Sequence, residues 1–252
     1  ARKTFFLKNM MSGRESILID AGNSLFDSNK INPDNLSIEN KKFKAKNFVK
    51  TLEFLGQDVV NIGSNDFKGG LDFLIDITKD SSVHFISANL YDKSTNSLLF
   101  KPYHIIEKDG SKIAFIGLSQ SARFNSVINK NFIDEGNKYI SELKSSVDII
   151  VMLINVLDEN IIDLSQSFAN ADYIFLSGST KRTEPRTRQS ESGALVYSGG
   201  IQGKHLSIVD IRIKDSNKAI NDVSAPFNRL QEIDYRLNRL QAKDPSITLE
   251  EL

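Results

Sequence analysis

The chain has 252 residues, of which 40% are hydrophobic and 25% charged, an ordinary balance for a folded protein with one well-buried core. Lys+Arg and Asp+Glu number 32 each, so no global field draws the chain to nucleic acid or to an anionic membrane. Cysteine is absent, which removes disulfides, thiolate catalysis and cysteine-type zinc sites together, and no apolar run approaches the roughly 20 residues that span a bilayer.

Short apolar runs rich in Ile, Val and Phe alternate with amphipathic stretches, which predicts an α/β domain built of βαβ units. The first run, Ile17–Asp20, leads into Ala21-Gly22-Asn23. Lys41–Leu55 places Phe43, Phe48, Leu52 and Leu55 at helical spacing, with Gly56 as the stop. Strands follow at Asp58–Ile62 and His84–Ser87, with a helix over Gly70–Thr78 between them. Asn89–Lys108 reads as strand, loop and strand, turning at Asp92 to Asn96. Further strands are predicted at Lys112–Ile116, Asp148–Ile154, Tyr173–Leu176, Ala194–Ser198 and His205–Ile213, with a helix around Ile140–Leu143. The basic stretch Lys181 to Arg188 is broken by Glu184 and Pro185 and reads as a solvated loop. After a polar linker, Ala225–Ala242 forms a helix with a seam of Leu230, Ile233, Leu237 and Leu240, about two heptads long. Packing on its own domain is one reading of that seam, and docking on a partner is the other.

In open α/β sheets, sites form beyond the carboxyl ends of the strands. Here those ends carry Asn23-Ser24, Gly63-Ser64-Asn65-Asp66, Asn155, Ser177-Gly178-Ser179-Thr180 and Ser198-Gly199-Gly200. Nearly all are small, neutral and polar. Asp20 and Asp66 are the carboxylates among them; the pair is suited to general acid/base work, or equally to capping turns and bonding backbone. The three histidines, His84, His104 and His205, fall inside apolar runs, which suits imidazoles bonded to neighbours better than converging metal ligands. No Gly-x-Ser-x-Gly elbow, Walker A loop or Gly-x-Gly-x-x-Gly fingerprint occurs.

The same strand ends carry a resemblance. LEFLGQDVVNIGSNDFKGG is similar to the helix–strand passage into the Gly-Asn-His-Glu motif of the metallophosphatase domain in the 5′-nucleotidase and UDP-sugar hydrolase family, a branch of the calcineurin-like metallophosphoesterases. HFISANLYDKSTNSLLFKPYHIIEKDGSKIAFIGLSQ resembles the family's Ser-Ala-Asn-x-Tyr segment through Lys-Pro-Tyr to a Gly-Leu strand end. ILIDAGNSLF resembles its Leu-Asp-Ala-Gly-Asp motif; DIIVMLINVLDE and DYIFLSGST resemble the strands that end in Ser-His and Gly-His-x-His. ALVYSGGIQGKHLSIVDI is similar to the closing strand pair.

This resemblance implies layered sheets flanked by helices over 1–213, with 214–224 as a linker and 225–252 as an added helix and tail. It also implies where functional residues should stand. The family's bridging aspartate falls at Asn23, its metal-binding asparagine at Ser64 and its catalytic histidine at Asn65, beside Asp66. The Ser-His ligand falls at Asn155, and the histidines of Gly-His-x-His fall at Ser179 and Lys181. The strand with an Asp-x-His ligand pair should precede Ala1, so upstream residues or another chain should cover the exposed edge.

The expectation is therefore an inactive metallophosphoesterase-like domain, with no catalytic residue and no cofactor, acting as a binding or scaffolding component of an extracytoplasmic assembly. An active phosphoesterase completed by upstream residues, with two divalent metals (Mn, Zn or Fe), is an alternative. A sugar- or anion-binding module using Asp20, Asn23, Ser64, Asn65, Asn155 and Ser179 is another. A partner chain would engage the open edge or the seam of Leu230, Ile233, Leu237 and Leu240.

Overall fold

The computed structural model describes Leu7 and residues 16–27, 35–122, 124–156, 163–184, 186–200, 203–213 and 220–243. Three parallel strands, β1 (Ile19–Asp20), β2 (Val59–Asn61) and β3 (His84–Ile86), form one sheet in that order. A second sheet has five strands: β5 (Tyr103–Lys108), β6 (Ser111–Ser119), β8 (Ile149–Asn155), β9 (Tyr173–Ser177) and β10 (Leu195–Ser198). Their order is β10-β9-β8-β6-β5, parallel except where β5 runs antiparallel to β6. The short strands β4 (Leu90–Asp92) and β7 (Val127–Asn129) pair separately. Helices α1 (Asn35–Leu55), α2 (Leu71–Thr78), α3 (Phe132–Leu143), α4 (Leu164–Ser167) and α5 (Ser224–Lys243) connect and flank them.

Strand periodicity explains the layering. In β8 every residue is buried, because Ile150, Met152 and Ile154 face α3 while Ile149, Val151 and Leu153 face the other sheet. On the first side, Phe132, Tyr139, Ile140 and Leu143 of α3 complete a core with Phe168. Between the sheets, Val59 and Ile86 meet Phe115, Tyr173 and Leu195. On the far face of the smaller sheet, Ala45, Val49 and Leu52 of α1 and Leu74 of α2 pack with Val60, Ile62 and Phe85. The result is helix, sheet, sheet, helix, with the parallel strands delivering their carboxyl ends to one rim.

The predicted elements hold in most places. The helix expected at Lys41 begins earlier, at Asn35, and it stops at Gly56, whose N–H bonds to Glu53 O at 3.0 Å. Its buried face is Ala45, Val49 and Leu52, with Phe48 partly buried; Phe43 is 71% exposed and does not belong to it. The Asp92–Asn96 turn is present, with Asn96 N–H on Asp92 O at 2.8 Å and Asp92 Oδ1 accepting from Ser94 and Thr95.

Two expectations are corrected. His205–Ile213 is not a strand: it carries no ladder, and Ile208 is 55% exposed. Its β-branched residues match a strand, but a strand forms only when its N–H and C=O groups find a ladder, and β10 pairs with β9 alone while β1 pairs with β2 alone. His205 accordingly lies on the surface, 3.0 Å from Arg182 Nη1 through Nδ1. The helix at 225–242 is correct, but its apolar seam is not buried on its own domain: α5 has no buried residue, Leu230 is 59% and Ile233 45% exposed, and Leu237 is only partly covered.

Candidate functional site at the strand ends

The residues after β1, β2, β8 and β9 meet at the rim, joined by hydrogen bonds of their own. Asn155, at the end of β8, is fully buried; its Oδ1 accepts from Ser64 N–H at 3.0 Å and its Nδ2 donates to Ser177 Oγ at 2.9 Å. The Ser177 hydroxyl in turn donates to Ala21 O at 2.8 Å. Asn23 Oδ1 accepts from Asn65 N–H at 2.7 Å and more weakly from the Ser64 hydroxyl at 3.5 Å. Asn23 sits at φ 64, a left-handed conformation that asparagine tolerates better than most side chains.

Asp66 ties the loops together. Fully buried, it accepts from Asn23 N–H at 3.1 Å and Gly63 N–H at 2.8 Å on Oδ2, and from Leu25 N–H at 2.9 Å on Oδ1. Burial pushes its carboxyl up to about 6, three backbone N–H groups pull it down, and Asp20 adds a small upward push. Its place before Gly69-Gly70 suits the expected turn-capping role, and it also clamps the Asn23–Leu25 loop more than 40 residues away in sequence. Asp20 bonds neighbouring backbone, its Oδ1 accepting from Gly22 N–H at 2.8 Å.

Close backbone approach is built into this rim. A Cβ at Gly63 would lie 2.4 Å from Asn23 Oδ1. At Gly178, with φ +86, it would lie 2.0 Å from Val156 O. Glycine is the residue that fits both constraints.

Ser179 and Lys181 stand apart. Ser179 is buried, and its hydroxyl accepts from Lys181 N–H at 3.2 Å, while Lys181 is exposed. Of the six residues proposed to share a pocket, the hydrogen bonds join Asn23, Ser64, Asn65 and Asn155, and Asp66 links Asn23 to Gly63. The Asn65 carboxamide itself makes no hydrogen bond among the described residues. His84 and His104 stack on each other instead, ring centroids 3.5 Å apart; burial, the neighbouring His84 and Lys101 depress His104 to about 4.

Three contributors escaped the sequence reading. Asn61, fully buried, donates to Ala21 O and Leu118 O. Asn89 donates to Ser119 O and Lys130 O and accepts from Ser119 N–H. The Ser119 hydroxyl donates to Ile62 O at 2.6 Å. Asn61 interrupts the apolar run Asp58–Ile62, and a polar residue inside such a run was the available signal.

No family model matches the chain. Over 118 residues, 42% of this chain, it is 33% identical to a 5′-nucleotidase of Vibrio cholerae, of which the match spans 21%. Over 207 residues, 67% of the chain, it is 26% identical to a 2′,3′-cyclic-nucleotide 2′-phosphodiesterase/3′-nucleotidase of Salmonella typhimurium, of which the match spans 32%. Among solved structures, a putative 5′-nucleotidase from Staphylococcus aureus in complex with alpha-ketoglutarate aligns with 91% of this chain and 52% of its own, with TM-score 0.64 and 16% identity. The chain carries a 5′-nucleotidase-family metallophosphatase domain. It spans at most about a third of the lengths of these curated relatives.

The family is metal-dependent, so the donors at the rim matter. Two-metal sites use imidazoles and carboxylates around ions ~3.5–4 Å apart. Among the described residues no group of three or more His, Asp or Glu side chains converges in a way that could hold a metal ion. The Asn23 and Asn155 oxygens already accept backbone N–H groups, and Asp66 is turned into three of them. These residues do not fit a two-metal centre.

Proposed function

We propose that this 5′-nucleotidase-family domain keeps the architecture of a phosphoesterase without its metal chemistry and serves as a binding or scaffolding component. The observation that carries the reading is the rim itself: Asn23 and Asn155 use their carboxamide oxygens to hold backbone N–H groups of Ser64 and Asn65. A carboxamide has no formal charge with which to offset two dications, and serine or asparagine is a weak substitute for imidazole toward Zn, Mn or Fe. Without bound metal, no hydroxide forms near neutral pH and no phosphoryl oxygen is polarised. We assign Asn23, Ser64, Asn65, Asn155, Ser179 and Lys181 to the degenerate ligand and catalytic positions on this basis.

The test uses the full chain, titrated with Mn²⁺ and with Zn²⁺ by calorimetry and assayed on AMP and p-nitrophenyl phosphate. The reading expects no stoichiometric metal uptake and no turnover. Two bound equivalents with phosphate release would establish an active phosphoesterase instead.

Within this reading, 1–213 is the domain, 214–224 a linker, and 225–252 an appended helix and tail that engages a partner chain in an extracytoplasmic assembly. Support comes from α5, where Leu230, Ile233 and Leu240 all stand exposed. No helix among the described residues is long and apolar enough to cross a membrane. The first partner to test is a second copy: sedimentation should give a mass above one chain, falling to one chain when 225–252 is deleted from a domain that stays folded. A one-chain mass for the intact protein would overturn pairing between copies.

A further inference from the structure

A cleft of about 600 Å³ lies between the loop 186–189 and the first turns of α5, far in character from the neutral rim. Three arginines line it, Arg186, Arg188 and Arg229, against two acids, Asp222 and Glu232. The acids are already engaged. Glu232 forms an ion pair with Arg186, and Asp222 accepts the Tyr197 hydroxyl at 2.8 Å and Ser224 N–H at 2.7 Å. Arg188 and Arg229 have no ion pair among the described residues, and with Asp222 bonded to neutral donors and Glu232 paired to Arg186, three arginines against two acids leave the lining with a net positive charge.

Both walls are fastened to the same edge strand. The Gln189 side chain donates to Val196 O at 2.8 Å and accepts from Val196 N–H at 2.9 Å, which fixes the loop next to Arg188 on β10. Tyr197, the next residue of β10, holds Asp222 two residues before α5. The Arg186–Glu232 pair then closes the loop onto the helix. These ties hold the cleft open at a set width instead of leaving its arginines on independent surfaces.

We propose that this cleft binds a small organic phosphate, with Arg188 and Arg229 gripping the phosphoryl oxygens. Guanidinium forks match phosphate in pairs of parallel hydrogen bonds, and an anion between two unpaired cations relieves their repulsion. The volume falls within the roughly 300–1,000 Å³ of small-molecule sites, and Ala225 and Pro226 supply an apolar wall for the organic body. The inference stands on residues separate from the rim and does not depend on the rim being inactive.

The experiment is calorimetric titration of the full chain with phenyl phosphate, beside phenol, benzoate and inorganic phosphate. Phenyl phosphate should bind, phenol should not, and the other two should bind more weakly. Arg188→Ala and Arg229→Ala should each weaken phenyl phosphate about tenfold or more, as expected for loss of a charge-assisted hydrogen-bonded pair; Arg188→Lys should recover only part of the loss. Both arginines are exposed, so melting temperature should stay unchanged and mark the variants as folded. No heat up to about 10 mM phenyl phosphate, or wild-type affinity in both alanine variants, would overturn the proposal. Equal or tighter binding of benzoate would overturn phosphate as the recognised group. Phenyl phosphate hydrolysis by the wild-type chain that persists while both alanine variants lose binding at the cleft would count against the proposed function and leave the cleft as assigned.

Discussion

The strand-end rim and the C-terminal strap treat their polar and apolar groups in opposite ways. At the rim, Asn155 and Asp66 are fully covered, and each of their side-chain oxygens meets a backbone N–H. Among the described residues of the C-terminal strap (203–213 and 220–243), Ile208, Val223, Phe227 and Leu230 are all more than half exposed. Carboxamide and carboxylate oxygens already held by backbone N–H groups have little left to offer a metal, whereas a C-terminal stretch with uncovered Leu, Ile and Phe has its binding energy unspent. The two regions thus divide the labour proposed for the protein: the first holds the fold, and the second is available to a partner.

That contrast fixes the order of mutational effects. Gly178→Ala should be the most damaging, because its Cβ would meet Val156 O at 2.0 Å with φ held at +86; a loss of about 4 kcal/mol or more is expected by urea unfolding. A near-neutral result would mean that the rim is looser than its contacts indicate. Next is the pH response of Asp66. Its carboxyl is raised from 3.8 to about 6, so the folded state holds the proton more tightly than the unfolded chain does. The resulting stabilisation, about 3 kcal/mol, is complete below the unfolded value and is lost as pH rises through about 6. Wild type minus Asp66→Asn stability should therefore fall from about pH 4 to about pH 7; a flat or rising difference would contradict this assignment.

Asn155→Ala ranks third. It leaves Ser64 N–H without its acceptor while Ser177 keeps Ala21 O, for a cost of about 2 kcal/mol in thermal unfolding. The smallest effect belongs to the strap. Leu230→Ser and Ile233→Ser should each change the stability of a single chain by under about 0.5 kcal/mol, since both side chains are exposed. A cost of about 2 kcal/mol or more would show that the seam is packed in solution and erase the difference between the regions.

The sequence made the layers legible because the parallel strands are buried on both faces. Ile149–Ile154 is an unbroken apolar run, and its residues do divide between two cores. The strand ends were legible too, since Gly and small polar residues follow each run. What escaped depends on tertiary partners. His205–Ile213 has the composition of a strand and lacks only a neighbour to pair with. Phe43 stands five residues before Phe48 and nine before Leu52, which turns it away from their face, whereas Ala45 stands four before Val49 and seven before Leu52, and these side chains point inward. Asp66 could be read as a turn cap, but its reach to Asn23 and Leu25 spans more than 40 residues and leaves no local trace.

The central claim is that a rim with carboxamides and hydroxyls at the ligand positions cannot hold the family's metals. The most direct measurement is titration of the full chain with Mn²⁺ while phosphate release from AMP is followed in the same sample. The account predicts no stoichiometric binding and no release. Two equivalents bound, with release that is abolished by chelation and by Asn155→Ala in a folded variant, would contradict it.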